Sequence, residues 1–189
     1  MELKNRTSAW TLLVASIAGF LASFILTYDK FKVLKDSGYT PSCNINSTLN
    51  CKSVMLSKQA EVFGFPNSLI GVATFAMMLV IAVALFFGMR FPKLFWQLAF
   101  AGTALAAFFC HWLAYQTTFI IGALCPYCMV AWFATLLVLS ATLRELLEFK
   151  RESATEEAAK SAIEIVQKWM VPFHLVWAGL LIGAAFLGV

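Results

Sequence analysis

Five long apolar runs alternate with polar segments along the chain, at residues 9–28, 68–89, 94–121, 126–147 and 171–189. Each approaches or exceeds the roughly 20 helical residues needed to cross a hydrocarbon core about 30 Å thick. None alternates over ten residues like the strand of a membrane barrel, and a helix satisfies its own backbone groups in lipid. The pattern predicts an all-α integral membrane protein. Between the first two runs, residues 29–67 read as one polar loop. Gly38 to Ser42 is rich in turn formers, and residues 44–50 form a polar arc. Residues 52–63 predict a short amphipathic helix at the interface, with Val54, Met55, Ala60 and Val62 set against Lys52, Lys58, Gln59 and Glu61, closing over the bundle. Gly64-Phe65-Pro66-Asn67 then turns the chain into the second run, with Asn67 or Ser68 as the expected cap. Residues 148–170 are charged and Ala-rich, a predicted cytoplasmic helix and linker before the fifth span.

Composition strengthens this picture. The chain is 61% hydrophobic and 13% charged, with mean hydropathy +0.80, too apolar for a soluble domain of 189 residues. The net charge of +4 sits on helix flanks and calls for no nucleic-acid partner. Lys4 and Arg6 precede the first run as in a signal peptide, but the run exceeds the usual 7–15 apolar residues of a cleaved one. A retained anchor is expected. Lys and Arg set the orientation. Lys4, Arg6, Arg90, Lys93, Arg144, Lys150, Arg151, Lys160 and Lys168 fall on one side, and Lys30, Lys32, Lys35, Lys52 and Lys58 on the other. The larger group marks the cytoplasmic side, so the long loop is extracytoplasmic.

The chemistry lies in cysteines. Cys125-Pro126-Tyr127-Cys128 opens the fourth run, and Cys43 and Cys51 flank the polar arc. Two spans separate loop and motif, so both pairs share one side in either orientation; with the loop outside, that side is oxidising. Pro126 favours a helix start, which places Cys125 near the N-cap and Cys128 in the first turn. Unpaired N–H groups and the helix dipole stabilise thiolates there, and the thiolate is the species that attacks and leaves in disulfide exchange. Structural zinc needs four ligands, and the loop pair has no His beside it, so no metal is expected. The loop pair alone reads as a structural staple, worth about 2–3 kcal/mol by loop closure. Beside a CxxC on the same side, it reads as the second half of a relay. Cys110 lies 15 residues before Cys125, about 22 Å along a helix, and reads as a buried apolar side chain. His111 and Gln116 are polar groups within the third run, with helix packing the expected role for His111. No haem or flavin fingerprint is present to accept electrons. A membrane quinone fits, because it is apolar and takes the two electrons a dithiol releases. Trp132, one turn beyond Cys128, is placed to wall its ring or to sit as an interfacial Trp.

In this order Cys43-x7-Cys51, Ser57, the segment from Phe63 to Gly71 (FGFPNSLIG) and Cys125-Pro126-Tyr127-Cys128 resemble the vitamin K epoxide reductase family, its bacterial homologues in particular, over residues 10–147. The resemblance implies a four-helix bundle around a quinone, residues 1–147, to which residues 171–189 add a fifth transmembrane helix. It implies that Cys43 exchanges with a partner and that Cys51 passes electrons to Cys125. Cys128 then lies nearest the quinone and forms a transient adduct. Asn67 hydrogen-bonds a quinone carbonyl, and Ser57 supports exchange. Some members carry a fused thioredoxin-like domain where this chain has its charged segment, so a separate thioredoxin-fold thiol oxidase is the implied partner. The chain departs from the vertebrate enzymes after the CxxC, with Val130-Ala131-Trp132-Phe133 in place of their Thr-Tyr-Ala, and it has Asn44 where Asp is common. The expected function is a thiol–quinone oxidoreductase of the bacterial cytoplasmic membrane that reoxidises its partner with a menaquinone- or ubiquinone-type quinone. The rival is a non-enzymatic scaffold or transporter with structural disulfides. A different quinone-linked disulfide generator carries its CxxC in the first outer loop, the reverse of the order here.

Overall fold

The computed structural model describes residues 3–153 and scattered helical positions between 161 and 183. Five α-helices are described over the first of these ranges: α1 (Leu3–Lys35), α2 (Cys51–Met55), α3 (Asn67–Phe86), α4 (Lys93–Tyr115) and α5 (Pro126–Ser153). Four of the helices, over Thr7–Lys35, Asn67–Phe86, Lys93–Ile121 and Pro126–Phe149, are long and apolar enough to cross a membrane. They correspond to the first four apolar runs. The expected linker over 148–170 and the fifth span at 171–189 lie largely outside the described residues. Among the described residues there is no strand, only an isolated parallel bridge between Leu49 and Leu124.

α1 is the hub, packing on α3 and on α5, while α5 also packs on α4. Its two faces explain this. Trp10, Val14, Ile17, Leu21, Phe24, Tyr28 and Phe31 are all exposed and recur every three or four residues, a lipid-facing stripe. The opposite face is small and polar, with Ser8, Ser16, Ser23 and Thr27 buried. In lipid, apolar side chains gain little by facing another helix, and small residues let backbones approach. Gly19 faces the Phe75 ring and Gly71 faces Ser23 so closely that a Cβ at either glycine meets a neighbour. Thr27 Oγ1 bonds Ser68 Oγ across α1 and α3 at 2.8 Å, and the Thr103 and Thr142 hydroxyls lie 3.0 Å apart across α4 and α5.

α1 runs to Lys35, whereas the sequence ended the span at Tyr28 and began the loop at residue 29. The reason is packing. Leu26, Asp29, Lys30 and Val33 continue one buried helical stripe, so burial rather than polarity sets the helix end. At 33 residues α1 is about 50 Å long and projects beyond a hydrocarbon core. The amphipathic helix expected over 52–63 is divided: α2 stops at Met55, and a single 3-10 turn follows at Lys58–Glu61. Val54 and Met55 are buried as expected, but Val62 is exposed. The cap at the start of α3 also differs. α3 begins at Asn67 after Pro66, and the Asn67 side chain turns back to the 3-10 turn.

α4 ends in a π-helical turn over Gln116–Ile121, which Gly122 closes with φ 68°, a backbone state glycine adopts without steric cost. The next three residues reach α5 and bring its first residues to the loop.

Candidate active site

The site begins with a backbone pairing. Leu124 N–H donates to Thr48 O at 2.7 Å, and Asn50 N–H donates to Leu124 O at 2.9 Å. Thr48–Asn50 therefore lie alongside Leu124, and the residue that follows each of these two segments is a cysteine. Cys51 Sγ and Cys125 Sγ end 3.1 Å apart, with both residues at most 1% exposed. Turn chemistry holds the loop side in place. Asn46 Oδ1 accepts from the backbone N–H of Thr48 and Leu49, Asn50 Oδ1 caps α2 by accepting from Ser53, and Asn44 Oδ1 accepts from Lys52. Asn44 thus serves as a neutral acceptor at the start of α2.

Cys43 and Cys51 form a disulfide, while Cys125 and Cys128 are free thiols. Cys43, Cys51 and Cys125 pack in one buried cluster with Leu26, Val54 and Met55, against which Cys128 rests. The sulfurs of Cys43, Cys51 and Cys125 lie within 4.8 Å of one another, a spacing that would also suit metal ligands. Two of the three are bonded together, so in this state they offer no pair of thiolates. Cys125 precedes the first helical residue, as the proline predicted. Its thiol is held below the ordinary range, chiefly by the hydrogen bond from the Cys128 thiol and further by the N–H groups of Cys128 and Tyr127. Burial and the Asp29 carboxylate act in the opposite direction.

Residues 10–143 match the sequence model of the Vitamin K epoxide reductase family. The chain belongs to this family. Among individually curated proteins no match is found. Vitamin K epoxide reductase membership, with two cysteine pairs converging on one sulfur contact, makes the chain a multi-pass membrane oxidoreductase with thiol–disulfide chemistry.

Below the sulfurs lies a cavity of about 690 Å³, within the range of sites that bury a small organic ligand. Each long helix contributes to its wall, with Leu26 from α1, Phe75 from α3, Phe109 from α4 and Cys128 from α5 among the lining residues, and the segment from Val54 to Phe63 contributes from the loop. Trp132 lines it too. The residue is 5% exposed, and its indole N–H has no hydrogen-bond partner in the protein. The His111 ring meets it edge to face at 5.2 Å, while His111 Nδ1 lies 2.7 Å from Ala107 O. His111 is thus a packing partner of Trp132.

Asn67 also lines the cavity, and its amide is tied on both sides, donating to Gln59 O at 2.7 Å and accepting from Val62 N–H at 3.2 Å. Ser57 lines the same wall, and its hydroxyl donates to Val54 O at 2.7 Å. Cys110 corrects one geometric expectation. The distance of about 22 Å treated it as continuous in one helix with Cys125, but the two lie on different helices that run back along each other. Cys110 sits on the cavity wall with its sulfur 3.9 Å from Thr135 Oγ1, and Thr135 is about 10 Å along α5 from Cys128. It shares the cavity wall with Cys128.

Along the sequence, Asp29 reads only as polar loop and Lys30 only as one of the charges that set orientation. Lys30, 5% exposed, donates to Met55 O at 2.6 Å and pairs with Glu61 at 2.9 Å, fastening α2 and the 3-10 turn over the cavity. Asp29, 3% exposed, accepts the Tyr39 hydroxyl at 2.8 Å. The available signal was their spacing: both fall one turn beyond Leu26 on a continuing helix.

Proposed function

We propose that this protein is a thiol–quinone oxidoreductase that supports disulfide formation in a bacterial cell envelope. The observation that carries the reading is the 3.1 Å approach of Cys51 Sγ to Cys125 Sγ at the edge of an apolar cavity lined by Cys128. A separate thioredoxin-fold dithiol reduces the Cys43–Cys51 disulfide, attacking at Cys43 and leaving Cys51 as thiolate. Cys51 attacks Cys125 of a closed Cys125–Cys128 pair, and the electron pair leaves on Cys128. Cys43 then recloses on Cys51 and releases Cys125. These steps end with the loop pair closed and the CxxC pair open, the arrangement of the four cysteines described above. From there the dithiol gives two electrons to a quinone and closes again.

The cavity supports a quinone as acceptor. Its walls are mainly apolar, and Trp132 N–H is a donor without a partner, suited to a quinone carbonyl. Asn67 retains a second amide hydrogen for the same purpose. α3 and α4 lie at the two ends of the packing order, so the apolar tail of a menaquinone- or ubiquinone-type molecule leaves between them into lipid. The basic residues near the other ends of the spans support an extracytoplasmic side for the sulfur layer.

The test is dithiol-driven quinone reduction by protein purified with native lipid, across single cysteine variants. Cys128→Ala is expected to abolish it. Cys43→Ala is expected to spare reduction driven by a small dithiol that reaches Cys125 directly. Retained quinone reduction in Cys128→Ala, with only stability affected, would return the disulfides to a structural role.

A further inference from the structure

The relay moves protons as well as electrons, and the geometry points to the carrier. Asp29 lies one turn along α1 from Leu26, which packs in the same cluster as Cys43, Cys51 and Cys125. It is 3% exposed. Its Oδ1 accepts the Tyr39 hydroxyl, and its Oδ2, also buried, has no partner in the protein. A carboxylate oxygen buried bare is costly, so its retention calls for a reason. Ion pairing is not the reason, because the adjacent Lys30 directs its ammonium to Met55 O and Glu61.

We propose that Asp29 is the proton carrier of the exchange between the two cysteine pairs. The inference rests on the thiol–quinone reading above. In the second exchange step Cys51 and Cys125 are joined, and Cys43 is a thiol. Asp29 takes the proton of Cys43. The Cys43 sulfur bonds to Cys51, the Cys51–Cys125 bond breaks, and its electron pair leaves on Cys125. Asp29 then returns the proton to Cys125. One S–S bond forms as one breaks, one proton moves from Cys43 to Cys125, and the carboxylate is regenerated. The Cys43 and Cys125 sulfurs lie within 4.8 Å of each other. The negative charge of Asp29 favours the protonated form of Cys125. Tyr39, half-buried and four residues before Cys43, orients the carboxylate from the loop.

Other ionisable groups border this site. α1 supplies Lys30 and also Lys32, whose ammonium lies 5.7 Å over the Tyr39 ring. The loop supplies Tyr39, Glu61 and Lys52, the last donating to the Ser37 and Tyr39 carbonyls. α5 supplies Cys128 and Tyr127, whose hydroxyl lies 3.2 Å from Ser42 Oγ. Apart from the cysteines, each of these side chains has a partner other than Asp29 Oδ2.

The experiment compares wild type, Asp29→Asn and Asp29→Glu in lipid nanodiscs. Dithiol-driven quinone reduction is followed against pH, and the Cys51–Cys125 mixed disulfide is scored by non-reducing peptide mapping. Asp29→Asn preserves an acceptor for Tyr39 and is expected to lower the rate about 100-fold, as loss of a proton-transfer group does. The pH profile of the rate changes with it, and the mixed disulfide accumulates. Asp29→Glu recovers part of the rate. Wild-type rate and pH profile in Asp29→Asn would overturn the proposal. So would a uniform loss at all pH values without mixed disulfide, which marks a structural role. The mixed disulfide is scored in parallel samples without quinone, so a wild type inactive toward quinone counts against the thiol–quinone reading and leaves the Asp29 test standing.

Discussion

The two cysteine pairs sit in regions built by different means. Cys43 lies in an irregular segment and Cys51 opens the five-residue α2, both held by side-chain-to-backbone bonds from Asn44, Asn46 and Asn50 and by one short pairing with Leu124. Cys125 and Cys128 belong to the start of a 28-residue helix that packs on α1 and α4. The first pair rests on a few separate contacts, each worth about 1 kcal/mol. The second is carried by a whole element. An exchange relay needs this asymmetry, because one pair must shift between partners while the other stays aligned with a fixed cavity. The disulfide lies on the loop side and the open thiols on the helix side, where hydrogen bonds lower the Cys125 thiol.

The comparison can be broken most severely at its fixed end. Cys128→Ala should reduce quinone turnover by at least about 1,000-fold, the scale on which losing an essential nucleophile is felt. The same variant should leave the Cys43–Cys51 disulfide formed, as checked by mass mapping of unreduced peptides. Next is the seam between the two regions. Leu124→Pro removes the N–H that Thr48 O accepts at 2.7 Å. Transfer from Cys51 to Cys125 should slow by about 10- to 100-fold, in line with the cost of misplacing reacting atoms. Reduction driven by a small dithiol at Cys125 should fall less, and stopped-flow traces with each donor separate the two. Third comes the cavity. Trp132→Phe keeps a ring and removes the unpartnered N–H, so the quinone KM should rise about 10-fold, as for one lost hydrogen bond, with kcat little changed. An unchanged KM would remove Trp132 from the quinone contacts.

A smaller effect is set by pH. Cys125 lies below the ordinary thiol range because the Cys128 thiol and nearby N–H groups bond its sulfur. In the reduced protein that stabilisation is fully present above the unfolded thiol value and is lost as pH falls through the lower folded one. Alkylation of Cys125 should therefore reach half its maximal rate at a lower pH than a small free thiol does. Cys128→Ala should move it back upward. The smallest expected change is on the loop side. Asn46→Ala removes the acceptor for two backbone N–H groups and should destabilise the loop by about 1–2 kcal/mol, read as faster hydrogen exchange at Thr48 and Leu49.

Much of this protein was legible along the chain. Apolar runs of membrane-spanning length identified four described helices, because a backbone in lipid has few other ways to satisfy itself. The CxxC before a proline marked a helix start, and the spaced pair in a polar loop marked its counterpart, because turn and helix-start chemistry is local. Tertiary contact decided the rest. The extension of α1 to Lys35 depends on what covers Asp29, Lys30 and Val33, and their polarity alone pointed to a loop. The division of the loop helix and the turning back of Asn67 depend on neighbours distant in sequence. Above all, the pairing of Leu49 with Leu124 joins segments 75 residues apart. Composition and spacing determined that there are two thiol pairs at one end of a helical membrane bundle. The resemblance implied that Cys51 meets Cys125, but only the folded chain decided that the Leu49–Leu124 pairing brings them together and that Trp132 and Asp29 keep polar atoms free, because those facts arise where separate elements touch.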